Sequence, residues 1–283
     1  MYFNVINNTE VRLCSYHFYY DKGYQPEYEY KGNLIVPEYI TLENNKYNVT
    51  EIWNLRPFNT GTNNTFLISV QIPSSVKVLY ASFNSCSSLK NVVMQEGLTE
   101  IDGAFSGCKL LTNIEIPNSV NKIDDSSFSD CVSLAYINIP SGVTELGDNC
   151  FEGCINLNNF EEDELNNIKE IGDNAFAGCE KIMYVKLLNI EQIDFEAFKG
   201  CTNLKTIVLG QNCTKIGIDS FTDCINLTDV YCYATTPPSQ GFSDLEYINF
   251  TLHVPLSAID KYKESSWGWL YNDTERNIVP IEE

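Results

Sequence analysis

Eleven cysteines carry the most reactive side chains in this 283-residue sequence, and two chemistries could use them: disulfide formation and zinc binding. Seven of the cysteines recur at steps of 22 to 25 residues, at Cys86, Cys108, Cys131, Cys154, Cys179, Cys201 and Cys224. A near-constant period of that length indicates stacked structural repeats. Side chains in one column of such a stack point the same way, which is poor geometry for a disulfide. The spacing therefore predicts reduced thiols that pack as small hydrophobic residues.

Few other side chains suggest chemistry. The two histidines, His17 and His253, have no obvious set of Cys, Asp or Ser partners, so we interpret both as residues of terminal caps. The acidic run 161–164 could bind Ca²⁺, but it lacks an Asp-x-Asp-x-Asp-Gly loop, which favours a solvated turn. The sequence has no G-x-S-x-G, P-loop, H-E-x-x-H or dinucleotide-binding motif. We predict no catalytic residue, no metal site and no cofactor, and a protein that is not an enzyme.

The charge of the chain limits its partners. It carries 38 acidic and 18 basic residues, a formal net charge of −20. Such a chain has no cationic surplus with which to displace the counterions of a nucleic acid or to adsorb to an anionic membrane. The sequence contains neither an apolar run of about 18 residues nor a signal peptide at its start. That start fits either a cytoplasmic protein or a mature chain whose signal peptide has been removed.

Other residue types recur with the same period as the seven cysteines, which we call the cysteine ladder. Each of these columns of equivalent residues corresponds to one position within a coil. A small residue and then a phenylalanine precede every ladder cysteine, at Ser82-Phe83, Ala104-Phe105, Ser127-Phe128, Cys150-Phe151, Ala175-Phe176, Ala197-Phe198 and Ser220-Phe221. The small column predicts close approach of neighbouring coils. Alternation such as Ile114-Glu115-Ile116 predicts a short strand with aliphatic side chains turned inward. Pairs three residues apart, such as Val120 and Ile123, form the returning side of the coil.

Together these columns spell L-x-x-I-x-I-P-x-x-V-x-x-I-x-x-x-A/S-F-x-x-C, clearest in 111–131 and 134–154. This pattern resembles the BspA-like, Treponema-type leucine-rich repeat. The resemblance implies an α/β-type repeat: a right-handed leucine-rich-repeat solenoid with short parallel strands on one face, irregular or short-helical returns and capped ends. It also implies a surface or secreted binding protein of a host-associated bacterium, with a cytoplasmic location as the alternative.

We expect three regions along the chain. Residues 1–66 would form an N-terminal cap with a hairpin at 40–49 and a degenerate first repeat, in which Phe58 takes the phenylalanine column and Gly61 the cysteine position. Residues 67–233 would carry about seven repeats of 22–25 residues. Residues 234–283 would form a C-terminal cap with a strand at 251–254, a short helix at 255–264 and a last strand at 277–281. This order resembles the closing cap of BspA-like proteins from Bacteroidetes.

The outward positions of the strands are the candidate binding face. They combine tyrosines, amides and a few aliphatic residues, a mixture suited to protein or glycan recognition. The predicted ligand-binding residues are Tyr136, Asn138, Tyr184, Lys186, Val208, Tyr231 and Tyr233. We expect adhesion to a protein partner, with no enzymatic step; the alternatives are a glycan-binding surface protein, a spacer in a surface assembly, or ordinary solvated sheet residues.

Overall fold

The computed structural model describes residues 2–14, 32–54, 66–158, 164–240, 248–268 and 277–281. Four sequence predictions fall outside these residues: those for His17, Phe58, Gly61 and the segment 161–163. The described chain is a parallel β-solenoid of about nine turns with little helix. Most coils contain two short strands, one on each side of a shared hydrophobic core.

The elements in chain order are β1 (Tyr2–Val5), β2 (Glu10–Cys14), β3 (Gly32–Ile35), β4 (Tyr39–Leu42), β5 (Asn45–Trp53), β6 (Leu67–Ile72), β7 (Val78–Tyr80), β8 (Asn91–Met94), β9 (Glu100–Asp102), β10 (Asn113–Ile114), β11 (Lys122–Ile123), β12 (Tyr136–Ile137), β13 (Glu145–Leu146), β14 (Glu170–Ile171), β15 (Tyr184–Leu187), β16 (Gln192–Ile193), β17 (Thr206–Leu209), β18 (Lys215–Ile216), β19 (Asp229–Cys232), β20 (Ser239–Gln240), β21 (Thr251–Val254), a 3₁₀ turn (Leu256–Ala258), α1 (Ile259–Glu264) and β22 (Asn277–Pro280).

The predicted strands occupy one side of the solenoid, which we call the front face. They form three parallel groups, β3–β6–β8, β10–β12 and β15–β17–β19–β21–β22. Each strand pairs with its equivalent in the next coil, as Ile114 does with Ile137. Both isoleucines are buried, so the inward orientation predicted from the alternation is confirmed.

The returning side differs from the expectation of irregular or short-helical segments. It contains a 12-stranded sheet, which we call the back sheet: β1–β2–β5–β7–β9–β11–β13–β14–β16–β18–β20, with β4 paired to β5. In most coils a polar residue faces out before the second aliphatic of the pair, as Lys122 does before the buried Ile123. That two-residue alternation is enough for parallel pairing, because the neighbouring coils repeat the same conformation. Among the described residues the one α-helix is α1, within the predicted 255–264.

The predicted hairpin at 40–49 is also present, and its turn lies one residue before the Asn44-Asn45 pair on which the sequence would centre it. Antiparallel pairing joins Leu42 to Asn45, so Glu43 and Asn44 form the turn. Both turn residues have positive φ, 47° and 65°. Two-residue hairpin turns of this type need positive φ at both central positions, which asparagine tolerates better than most residues.

The phenylalanine column forms a continuous stack in the core. Consecutive rings from Phe83 to Phe221 are stacked with centroids 5.1 to 5.6 Å apart. The small residues beside them are buried, as close coil contact requires. Some of their hydroxyls also join coils: the Oγ of Ser82 donates to the carbonyl oxygen of Ile52 at 2.6 Å.

All eleven cysteines are buried thiols outside any disulfide, which confirms the prediction of reduced thiols. Six ladder thiols donate to the carbonyl oxygen of the phenylalanine in the preceding coil, at 3.1 to 3.3 Å, as Cys131 does to Phe105. Cysteine suits this column because it is small, apolar and a weak donor. Burial raises the pKa of Cys131 and Cys224 to about 12, so these thiols stay protonated at neutral pH.

A glycine substitution tests how closely the coils approach. A Cβ atom built on Gly210 would overlap the backbone carbonyl of Leu188 in the preceding coil, whereas one on Gly142 would lie 3.4 Å from the nearest atom, the carbonyl oxygen of Val120. We expect Gly210→Ala to lower the free energy of unfolding by about 1–3 kcal/mol through overpacking. Gly142→Ala, the matched control, should change it by less than about 1 kcal/mol. Urea unfolding measures both; equal effects would contradict close approach at Gly210.

Candidate binding face

The five-stranded group of the front face holds most of the predicted binding residues. Strand register places Lys186, Val208 and Tyr231 in one outward column. Neighbouring parallel strands lie about 4.8 Å apart, so these side chains are adjacent across three coils. Tyr184 begins the neighbouring outward column, which continues through Thr206 and Asp229. The structure therefore brings four predicted residues together.

His253 belongs to the same face, although we interpreted it as a cap residue. β21 pairs in parallel with β19 and aligns His253 with Tyr231. The two rings stack with centroids 4.1 Å apart and planes 10° from parallel. The Nε2 atom of His253 lies 2.9 Å from Oδ1 of Asp229. The alternation at 251–254 could have revealed this position, because it repeats the strand pattern of 229–232 after 22 residues.

We call Tyr184, Lys186, Val208, Asp229, Tyr231 and His253 the Tyr231 patch. Its side chains are half-buried, apart from the more exposed carboxylate of Asp229, because each packs against neighbours in the adjacent coils. This holds for Val208 too, which the sequence pattern placed among freely exposed positions. The face consequently presents ordered groups whose conformational freedom is already reduced.

The remaining predicted residues lie outside this patch. Tyr136 is 41% exposed and belongs to β12, in a separate strand pair of the front face. Tyr233 is equally exposed and directly follows β19. Asn138 joins two coils, because its Oδ1 accepts from the backbone N–H of Ile116 at 2.6 Å and its Nδ2 donates to the carbonyl oxygen of the same residue at 2.8 Å. Its amide therefore has a structural role.

The back sheet carries acidic groups that the sequence pattern did not single out. Glu100, Asp102 and Asp124 place carboxylate oxygens within 4.8 Å of one another. Burial and the nearby Asp124 carboxylate raise the pKa of Asp102. Lys122 forms ion pairs with both Glu100 and Asp124 and so supplies the countercharge of this cluster.

A groove of about 190 Å³ continues along the back sheet beside this cluster. Gly147 and Gly172 line it together with Glu145 and Glu170. Carboxylates at its edge hold successive coils together: Oδ1 of Asp125 accepts from the backbone N–H of Asp148 at 2.8 Å, and Oδ1 of Asp148 accepts from that of Asp173 at 2.8 Å. These aspartates have a structural role.

None of the helices in the described part of the chain is long and apolar enough to cross a membrane.

Comparison with known proteins identifies the repeat. The family model described as BspA type leucine rich repeat region matches in six copies over residues 59–165, 101–228 and 163–262. A leucine-rich repeat protein from T. pallidum is similar in structure at 32% identity, covering 56% of this chain and 78% of that one with a TM-score of 0.51. No curated protein matches the chain.

Two further solved structures resemble it more distantly. One is a leucine-rich cell surface protein from Faecalibacterium prausnitzii, at 19% identity, covering 99% of this chain and 93% of that one with a TM-score of 0.38. The other is the pneumococcal vaccine antigen PcpA, at 16% identity, covering 89% of each chain with a TM-score of 0.40.

Proposed function

Because the chain belongs to the family of BspA-type leucine-rich repeat proteins, we propose that it is a non-enzymatic binding protein that recognises a protein partner through the Tyr231 patch. The observation that carries this proposal is the ordered aromatic column, in which Tyr231 stacks on His253 beside Lys186 and Val208. Tyrosine is enriched at the centres of protein interfaces, where it contributes both apolar area and a hydrogen bond. We further propose that the protein acts in adhesion at the cell surface or after secretion.

The ring arrangement favours a protein over a glycan. A sugar ring binds an aromatic residue by lying on an open ring face. Tyr231 and His253 cover one face of each other, and strand register places Val208 and Val279 on their opposite sides. The rings therefore present mainly their edges outward, where they can fit between the side chains of a protein surface.

Local charge also supports binding at this position. The whole chain carries a formal charge of −20, yet within the five strands Lys186 offsets Asp229. The patch is therefore nearly neutral in an otherwise acidic protein. A partner approaching here meets less desolvation cost and less repulsion than it would over the carboxylates of the back sheet.

The double substitution Tyr184→Ala with Tyr231→Ala tests the proposal. The immobilised protein would be screened against purified extracellular-matrix proteins and a glycan panel by surface plasmon resonance. We expect a matrix protein to be captured by the parent chain and its affinity to fall at least about tenfold in the double variant, the loss typical of an interface hot spot. The free energy of unfolding should change by less than about 1 kcal/mol, because both side chains remain partly exposed.

Tyr39→Ala is the matched control, since Tyr39 is a 48% exposed tyrosine on the back sheet. Its affinity for the captured protein should equal that of the parent chain. Capture that survives in the double variant would move the site away from the patch. Capture of a glycan alone would favour the glycan-binding alternative, and capture of nothing would favour a spacer.

A further inference from the structure

Among the described residues, His253 has a hydrogen-bond partner at one ring nitrogen and none at the other. Nε2 lies 2.9 Å from Oδ1 of Asp229, and no described residue forms a hydrogen bond with Nδ1. The side chain is 18% exposed, so a partner seated on the patch can reach it. The stack with Tyr231 holds the ring in a fixed orientation.

The Asp229 carboxylate determines which nitrogen carries the proton. An ionised carboxylate only accepts hydrogen bonds, so neutral His253 must donate from Nε2, and Nδ1 is left as an acceptor. When the imidazole gains a second proton, both nitrogens become donors. Nδ1 then changes from a group that repels a carboxylate to one that binds it.

The protonated ring would be well supported in this position. Asp229 forms an ion pair with it, and the face of Tyr231 attracts a cation through its π electrons. Tyr231 and Asp229 are the titratable groups of β19 that face His253. β22, on the other side, contributes only Asn277, Ile278, Val279 and Pro280, and β21 has no other charged residue. The nearest cation in the column, Lys186, lies three strands away, about 14 Å.

We propose that the His253–Asp229–Tyr231 cluster makes recognition at the patch depend on pH, so that a protein surface presenting a carboxylate binds more tightly in mild acid than at neutral pH. This inference rests on the proposed function for the existence of a protein partner. Histidine is the side chain whose charge ordinarily changes between about pH 5 and 8. Protonation turns the near-neutral patch positive and supplies the donor at Nδ1.

The first experiment needs no partner. Nitrogen-15 NMR of the imidazole rings would be recorded from pH 8 to pH 5, with His17→Gln used to assign the signals of His253. We expect the Nε2–H tautomer at pH 8 and the doubly protonated ring at pH 5. Asp229→Asn should remove the preference for that tautomer. A ring that stays neutral at pH 5, or an Nδ1–H tautomer at pH 8, would overturn the inference whatever the patch binds.

The second experiment measures affinity for a matrix protein captured in the screen above, at pH 7.5 and pH 5.5. We expect about three- to fivefold tighter binding at the lower pH, the ratio expected of one additional exposed ion pair. His253→Gln, which keeps a donor for Asp229 but cannot gain charge, should abolish this ratio, and His17→Gln should preserve it. Binding that depends on Tyr231 but has the same affinity at both pH values would retain the proposed function and reject the pH dependence. If no protein is captured at either pH, the proposed function fails, and with it the role of the cluster in recognition.

Discussion

Between pH 8 and pH 10 the protein is expected to lose several kcal/mol of its free energy of unfolding, a large part of the about 5–15 kcal/mol of a typical domain. The cause is the set of buried thiols. Burial raises the pKa of nine cysteines above the ordinary value of 9.0: Cys108, Cys131, Cys150, Cys154, Cys179, Cys201, Cys213, Cys224 and Cys232. The folded chain therefore retains thiol protons that the unfolded chain releases.

The direction of the effect follows from that difference. Well below pH 9 both states hold the thiol protons, and the contribution of the thiols to stability is complete. As the pH rises above 9, only the unfolded state ionises, and each thiol removes about 1.4 kcal/mol per pH unit until its folded pKa is reached. Because nine thiols act in the same direction, the loss by pH 10 should reach several kcal/mol, although such contributions are seldom fully additive.

Urea unfolding under reducing conditions, followed by circular dichroism at pH 8, 9, 9.5 and 10, measures the loss. The slope of the free energy of unfolding against pH gives the number of protons released on unfolding. We expect that number to be well above two. Cys131→Ala should reduce that number by about one relative to the parent chain. A midpoint in urea that does not change between pH 8 and pH 10 would refute the thiol explanation. Tyrosines ionise ordinarily near pH 10, so the lower half of the range isolates the thiols.

Phe151→Ala is expected to lower the free energy of unfolding by about 3–5 kcal/mol, the cost of removing a large buried ring. Phe151 is fully buried and stacks on Phe128 at 5.5 Å and on Phe176 at 5.3 Å. The backbones of its neighbours are held by inter-coil hydrogen bonds, such as that from the N–H of Phe176 to the carbonyl oxygen of Ala197 at 2.7 Å. The cavity therefore cannot collapse, and the two flanking rings both lose contacts.

Phe195→Ala is the matched control, because Phe195 lies in a neighbouring part of the coil but is 42% exposed. We expect it to cost less than about 1 kcal/mol. Phe221→Ala should also cost more than Phe195→Ala, because Phe221 is buried and stacks on Phe198 at 5.4 Å. Urea unfolding at neutral pH compares all three variants. A cost at Phe151 no larger than that at Phe195 would show that the stack does not stabilise the solenoid.

The interior of the solenoid could be predicted from the sequence in some detail. Equivalent positions in successive coils have nearly the same surroundings. Residue types such as those of Ser127, Phe128 and Cys131 therefore recur at the same positions of each repeat. Burial confirms these assignments. The same residue types occur at these positions in seven repeats, which is too regular a pattern to arise by chance.

Two other features could not be predicted in this way. The pairing of Lys122 with Glu100 in the back sheet depends on a two-residue strand, too short for periodicity to distinguish from a loop. The amide of Asn138 looks like an outward recognition group in the sequence, yet in the structure it bridges to Ile116. An asparagine side chain can bind a ligand or a neighbouring backbone equally well, and only the position of the adjacent coil decides between them.

The binding face, too, was determined in part by the sequence and in part by the tertiary structure. The sequence alone determined which strand residues point outward, including Tyr184, Lys186 and Tyr231, because alternation within a strand sets the direction of each side chain. Only the tertiary structure brought His253 to Tyr231 and Asp229. Those contacts join a terminal strand to the repeats across 22 and 24 residues of chain. They depend on the parallel register and on the ring orientation, and both are set by the packing of two neighbouring coils against each other.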